Sequence, residues 1–212
     1  MRREAATSFL SSCAITLVVA GCAGSDEEAA EPAGQDVAAA GSESAGAGAG
    51  ELTARLVDAE GAEVGTVTLS EAESGTRVSV EAAGLPPGFH GFHVHAVGVC
   101  EPDSVSPSDP SMTGDFLSAG GHLGAAEAEH GHHAGDLPSL YISQSGAGNL
   151  TAVTDAFTVA DLTDDDGSAV MVHADPDNFA NIPERYAPAG ADPMTRSTGD
   201  AGGRIACGPV EG

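Results

Sequence analysis

The chain has 212 residues, which suits one folded domain with additional segments. It has no tryptophan and only 4% aromatic residues, while 29 glycines and 12 prolines favour turns and β-structure, so Val, Leu, Ile and Ala must form most of the core. All seven basic residues are arginines, and the net charge of −25 argues against binding to nucleic acid or to an anionic membrane surface.

The N-terminus has the pattern of an export signal that ends at a lipid-attachment cysteine. Arg2 and Arg3 precede an apolar stretch, 9–20, that is too short to span a bilayer in the usual way. The Val-Ala-Gly-Cys sequence ending at Cys22 is typical of a bacterial lipobox, in which the cysteine is acylated and becomes the mature N-terminus. An ordinary signal peptide that happens to contain a cysteine is the alternative. We therefore expect a lipoprotein signal peptide at 1–21, and export with a lipid anchor at Cys22 on the extracytoplasmic face of the cell membrane.

The next segment, 22–50, is rich in Ala, Gly, Glu and Ser and has almost no large apolar residue. Such a segment cannot bury enough surface to offset its chain entropy, so we predict a disordered acidic tether. Signal removal takes Cys13 and acylation uses Cys22, which leaves Cys100 and Cys207 in the domain. Two distant cysteines in an exported domain predict one disulfide, with two free thiols as the alternative.

Residues 51–212 have the pattern of an all-β domain. Apolar residues alternate with polar ones, or form short runs, at 52–56, 66–70, 77–81, 140–142, 150–153 and 169–172. Turn signals such as Glu60-Gly61 separate the early runs. Short strands of this kind predict an antiparallel sandwich or barrel. Two Gly-, Asp- and Pro-rich loops, at about 97–137 and 174–204, are long enough to indicate function.

All eight histidines fall between His90 and His173, and this density predicts metal binding. The sharpest motif is Gly-Phe-His-Val-His, which ends at His95. Residues two apart on a strand face the same side, so His93 and His95 can hold one metal ion. Further histidines stand in Gly-Gly-His at 120–122, in His-Gly-His-His-Ala-Gly-Asp at 130–136, and at the end of the apolar run 170–173.

The order and spacing of these motifs, together with Gly-Gly-Arg-Ile-Ala-Cys-Gly at 202–208, resemble the copper-zinc superoxide dismutase family over residues 52–210. The resemblance implies a Greek-key, immunoglobulin-like antiparallel β-sandwich or barrel with two long functional loops. It implies copper and zinc cofactors and an enzyme that converts superoxide to oxygen and hydrogen peroxide by one-electron copper cycling. Such an enzyme would protect the cell envelope from extracellular superoxide, its small anionic substrate, as a monomer or a homodimer.

The resemblance also implies a set of ligands for each metal. The copper ligands would be His93, His95, His122 and His173, because imidazoles suit copper. The zinc ligands would be His122, which bridges the two ions, with His130, His133 and Asp136. Asp177 matches a carboxylate that orients one copper and one zinc histidine, and His90 matches a structural position.

The zinc motif departs from the family pattern at one point. Only two residues separate His130 from His133, several fewer than the family has, so His132 could replace either neighbour as a ligand.

The remaining implied residues surround the copper channel. Arg204 would stand at its mouth and orient the anion, acting as a catalytic residue with His122; an ordinary surface arginine is the alternative. The Cys100–Cys207 bond would fix the loop that forms the channel wall to the end of the last strand. Asp192 and Asp200 lie near the entrance without any lysine, so we expect weaker electrostatic steering than in relatives with lysines there.

Two other functions are open on the sequence. A copper-binding or copper-delivery module of the same fold would lack dismutase activity and would have lost a copper histidine or the arginine. A metal-scavenging lipoprotein would have histidines in its loop without those on the strands. This chain has all of these residues, which favours the enzyme.

Overall fold

The computed structural model describes residues 50–212, so the predicted signal peptide, the predicted lipid-attachment site at Cys22 and the predicted tether up to residue 49 lie outside the described residues. The described part is built of antiparallel strands with one short α-helix. No helix in it combines the length and apolarity needed to cross a membrane. The strands are β1 (Glu51–Val57), β2 (Glu63–Ala72), β3 (Gly75–Ala82), β4 (Gly88–His90), β5 (Phe92–His95), β6 (Ser104–Val105), β7 (Thr113–Gly114), β8 (Leu140–Ile142), β9 (Gly148–Thr154), β10 (Ala169–His173) and β11 (Arg204–Glu211), and the helix is α1 (Pro193–Thr198).

Seven strands form one antiparallel sheet in the order β5-β10-β11-β1-β2-β3-β9. The first three strands are a meander made by the first three alternating runs of the sequence. The last strand returns to pair with β1, and β9 adds to β3, so neighbours in the sheet are far apart in the chain. Two further pairs, β4 with β8 and β6 with β7, lie outside this sheet.

Burial along the strands shows which face each one packs. In β1, Leu52, Ala54 and Leu56 are buried while the residues between them are more exposed, as the period of two predicts. By contrast, β5 and β10 are buried at every position, and this explains the continuous apolar run that precedes His173.

The first long loop covers the free edge of β5. The Val94 N–H donates to the Gly135 carbonyl (2.9 Å), and the Leu123 N–H donates to the Val94 carbonyl (2.9 Å). These bonds satisfy backbone groups that an edge strand would otherwise leave open. They also hold the histidines of the loop beside those of β5.

Cys100 and Cys207 form a disulfide, as predicted, with their Cα atoms 5.7 Å apart. Cys207 lies within β11 and not at its end, because this strand continues in register with β1 to the pair Thr53–Glu211. The disulfide therefore joins the first long loop to a central strand of the sheet.

The second long loop contains α1, which the sequence reasoning missed. Asp192 caps the helix by accepting a hydrogen bond from the Thr195 N–H (2.9 Å), and Pro193 occupies the first turn. Gly199 ends the helix in the left-handed conformation, with φ of 60°.

Candidate metal centre

Six of the eight histidines meet at one place in the fold. His93 and His95 come from β5, and His173 comes from the end of β10, the strand paired with β5. His122, His130 and His133 come from the first long loop, where bridges pair His95 with His122 and His93 with Asp136. All six rings are buried.

A first group contains His93, His95, His122 and His173, whose ligating atoms lie within 4.8 Å of one another. Hydrogen bonds at the outer ring nitrogens set the tautomers. His95 Nδ1 lies 3.0 Å from the Gly120 carbonyl, and His173 Nδ1 lies 3.3 Å from the Gly202 carbonyl. Because a carbonyl only accepts, these nitrogens carry the hydrogens and leave each Nε2 lone pair facing inward.

The first group fits a metal ion. His93 Nδ1 is buried with no hydrogen-bond partner, which costs about 1–3 kcal/mol unless something binds it. Burial first, and then neighbouring positive charge, holds the pKa of His95 and of His173 well below the usual value. Burial likewise lowers the pKa of His122 to about 4. Neutral imidazoles with oriented lone pairs are the form that binds copper.

A second group surrounds the Asp136 carboxylate. Asp136 Oδ1 lies 2.9 Å from His122 Nδ1, 3.2 Å from His130 Nδ1 and 3.3 Å from His133 Nδ1. The Nδ1 atoms of His122 and His133 are 3.2 Å apart. Four atoms bound tetrahedrally to zinc at about 2.0–2.1 Å would be separated by about 3.3 Å. The observed separations therefore fit a zinc ion.

Two observations bear on the membership of this second group. His130 Nδ1 lies 3.2 Å from Asp136 Oδ1 but forms no hydrogen bond with it. This is expected when the lone pairs of the nitrogen and of the oxygen both point to the position of one metal ion. His93 also lies within 4.8 Å of His122, His130 and Asp136, because its ring is only 4.1 Å from that of His122, measured between centroids. The shorter contacts of His133 with His122 and Asp136 favour His133 over His93 as the fourth member.

Asp177 links the two groups. Its side chain is fully buried, and its two oxygens lie 2.8 Å from His93 Nε2 and 2.8 Å from His130 Nε2. Burial alone would raise its pKa, but hydrogen bonds from these two rings hold the pKa of Asp177 well below its usual range. The carboxylate thus stays charged and orients one histidine of each group.

Gly199 packs against His130 and Asp177, a contact that the sequence pattern did not predict. A Cβ at this position would lie 2.3 Å from His130 Nε2, so only glycine permits the approach. The Gly199 N–H is itself held by the Thr195 carbonyl in α1. The short helix thereby sets the position of the loop against the ligands.

Arg204 lies beside the first group as a fixed cation. Its guanidinium donates hydrogen bonds to the carbonyls of Phe116 and Gly120 in the first long loop. Burial lowers its pKa to about 10, so it remains charged at neutral pH. Within residues 50–212 no carboxylate forms an ion pair with it, and its charge is left to act on an anion.

The other two histidines lie outside both groups. His90 is buried with its ring nitrogens 2.7 Å from the His173 carbonyl and 2.8 Å from the Pro86 carbonyl, which is a structural arrangement. His132 is exposed, with its neighbours His130 and His133 turned inward.

A Greek-key antiparallel β-domain with two adjoining buried histidine groups, one suited to copper and one to zinc, defines a class of two-metal proteins. The sequence profile of copper/zinc superoxide dismutase matches residues 63–210. The chain belongs to this family.

Individual relatives agree with the family assignment. The chain is 45% identical over 176 residues to "Superoxide dismutase [Cu-Zn]" of Mycolicibacterium paratuberculosis, covering 79% of this chain and 77% of the relative. It is 43% identical over 171 residues to the protein of the same name from Mycobacterium tuberculosis, covering 77% and 71%. The solved structure of Cu/Zn superoxide dismutase from Brucella abortus superposes with a TM-score of 0.59 at 31% identity, covering 76% of this chain and 99% of the other.

These findings confirm the predicted family and the all-β Greek-key fold. They also confirm an oxidoreductase that acts on superoxide, with copper and zinc as its cofactors.

Proposed function

We propose that this chain disproportionates superoxide at a copper ion held by His93, His95, His122 and His173. A zinc ion held by His122, His130, His133 and Asp136 would lie beside it. The observation that carries the proposal is the position of His122, which belongs to the first group and also has Nδ1 within 3.2 Å of His133 Nδ1. One imidazole shared between two donor sets is what a bridge between two ions requires.

When bound, copper supplies one-electron exchange with superoxide, and zinc closes a structural site. Residues of the protein bind the anion and hold a proton. The Arg204 guanidinium, held by two carbonyls, binds the superoxide anion and orients it toward the first group. Two superoxide ions and two protons give oxygen and hydrogen peroxide. His122 holds one of these protons at Nε2 while its Nδ1 stays among the zinc donors, and water supplies the other.

The alternative functions account for less of the site. A copper-delivery or metal-scavenging protein needs ligands but has no use for an arginine that two backbone carbonyls hold beside the first group. The buried Asp177 link, which sets ring orientation across both groups, likewise suits repeated redox turnover at one geometry. Both features favour the enzyme.

Replacing Arg204 separates catalysis from metal binding. We expect Arg204→Ala to lower kcat/KM by about 10- to 100-fold, because the cation that focuses the field on the anion is lost. Arg204→Lys keeps the charge without the planar fork that contacts two carbonyls, so its loss should be smaller. Rates from pulse radiolysis, with copper content measured in parallel, would test this. An Arg204→Ala enzyme as fast as the wild type would exclude the assigned role.

Replacing Asp136 tests the zinc group. We expect Asp136→Ala to bind little zinc and to keep substantial activity. Its melting temperature should fall by roughly 6–12 °C, since a ligand at about 100 times its Kd stabilises the fold by about 3 kcal/mol. The exposed His132 provides the control: His132→Ala should change neither zinc content nor melting. Loss of zinc in His132→Ala with retention in His130→Ala would show that the ligand set is wrong.

We also propose that the chain is exported and anchored through acylated Cys22, where it removes superoxide outside the cytoplasm and protects the cell envelope. The lipobox residues support this proposal. Cys22→Ser should abolish labelling by a radioactive fatty acid and partitioning into detergent. An unlabelled, freely soluble wild-type protein would contradict it. The domain would act as a monomer or a homodimer, which sedimentation equilibrium distinguishes.

A further inference from the structure

The turn between His130 and His133 is shorter than the family pattern has at this place. Only Gly131 and His132 separate them. Nevertheless both Nδ1 atoms lie within 3.3 Å of Asp136 Oδ1, and His132 points into solvent. The backbone at this turn must therefore reverse sharply between the two histidines.

The reversal requires glycine at position 131 for two independent reasons. Its φ is +87°, a left-handed conformation that residues with a side chain rarely adopt. A Cβ added there would also lie 2.6 Å from the Phe179 carbonyl oxygen, which is backbone of the second long loop. Since that backbone is held by the Phe179 N–H bond to Asp177 Oδ1 (2.7 Å), it has little freedom to move away.

The same turn orients the Asp136 carboxylate. The Gly131 N–H donates to Asp136 Oδ2 (2.7 Å), and the His133 N–H donates to the same oxygen (3.0 Å). With Oδ2 held by two backbone groups, Oδ1 is the oxygen that faces the three histidines. The conformation of Gly131 thus controls the positions of His130, His133 and Asp136 together.

We propose that Gly131 is a positioning residue for zinc, which makes the shortened turn a preformed half of the zinc site. Its left-handed backbone and its close approach to Phe179 direct both flanking histidines inward and leave His132 outside. This inference rests on the zinc ligands of the proposed function. It adds that Gly131, which has no side chain and so no ligating atom there, controls the affinity of the site for zinc.

The test compares zinc binding by the purified mature protein and by Gly131→Ala, in competition with a chelator of known affinity. We expect the zinc Kd to rise by about tenfold or more, the size of effect seen when residues that orient metal ligands are replaced. Copper content should remain about one per chain. Gly61→Ala is the matched control, because Gly61 has φ of +84° with nothing within 4 Å of an added Cβ. Its zinc Kd should stay within about twofold of the wild type.

A second variant and a spectroscopic readout guard against a general folding defect. Asn tolerates the left-handed conformation, so Gly131→Asn has less backbone strain than Gly131→Ala, although its Cβ still clashes with the Phe179 carbonyl oxygen. The zinc Kd of Gly131→Asn should therefore lie between those of the wild type and Gly131→Ala. Cobalt(II) placed in the zinc site should show altered visible bands in both Gly131 variants and unaltered bands in Gly61→Ala.

The outcomes separate this inference from the function on which it rests. Zinc binding by Gly131→Ala within twofold of the wild type, or an equal loss in Gly61→Ala, would overturn the role of Gly131. So would a failure of both Gly131 variants to fold without metal while Gly61→Ala folds, since Gly131 would then serve the whole domain. If Asp136→Ala binds zinc as tightly as the wild type, the assigned zinc site itself is wrong.

Discussion

His173→Ala is expected to lower dismutase activity to about one hundredth of the wild-type value or less, with a parallel loss of copper. His173 ends β10 with its ring buried, and its Nε2 lies 3.4 Å from His95 Nε2. Residues that merely orient a ligand contribute 10- to 100-fold to affinity or activity, so removal of a ligand should reach at least the upper end of that range. Activity per chain and copper by atomic emission would be measured on the same sample.

The control for this variant is His132→Ala, which removes an exposed imidazole from the same protein. It should retain full activity and about one copper per chain. Near-normal activity with full copper in His173→Ala would show that the first group is not the copper site. Copper retention with complete loss of activity would instead assign His173 to the reaction and not to binding.

Cys207→Ser is expected to lower the free energy of unfolding by about 4 kcal/mol. The disulfide joins residues 107 apart, and closing a loop of roughly this length removes about 4–5 kcal/mol of chain entropy from the unfolded state. For a domain of this size the melting temperature should then fall by about 8–16 °C. Urea unfolding of the wild type, the variant and the reduced wild type would measure it.

The same variant should also slow catalysis. Cys100 lies in the first long loop, which also contains the Phe116 and Gly120 carbonyls that hold Arg204, and Cys207 is three residues after Arg204 on β11. Without the disulfide the loop is tied less firmly to the strand, and the guanidinium loses part of its fixed position. Cys100→Ser should match Cys207→Ser in both measurements. Unchanged melting in both single variants would mean that the bond contributes little to stability.

Local sequence pattern predicted the strands of the metal centre well. The pair His93 and His95 was assigned to one ion because side chains two apart on a strand share a face, and β5 brings both into the first group. The continuous apolar run ending at His173 predicted a buried strand, which is β10. Both strands are as predicted, because strand period and burial leave a direct trace in consecutive residues. That His93 and His95 bind one ion stays a prediction.

At the turn 130–136, local sequence pattern did not predict which histidines face the zinc group. The spacing of His130, His132 and His133 allowed any two of the three to be ligands. The structure turns His132 into solvent, because the Gly131 backbone and the Asp136 hydrogen bonds determine the direction of each ring. Phe179, which limits Gly131, comes from another loop far along the chain.

The sequence by itself determined the all-β class, the disulfide pair, the histidine motifs and, through their resemblance to a family, the two cofactors. Each of these depends on residue type, residue count, period or motif order, which can be read along the chain without knowledge of its packing. Only the tertiary structure decided how Asp177 joins His93 to His130, why Gly199 must be glycine, and which carbonyls hold Arg204. These contacts join segments that are distant in the chain, and their geometry depends on the packing of two long loops against β5, β10 and β11.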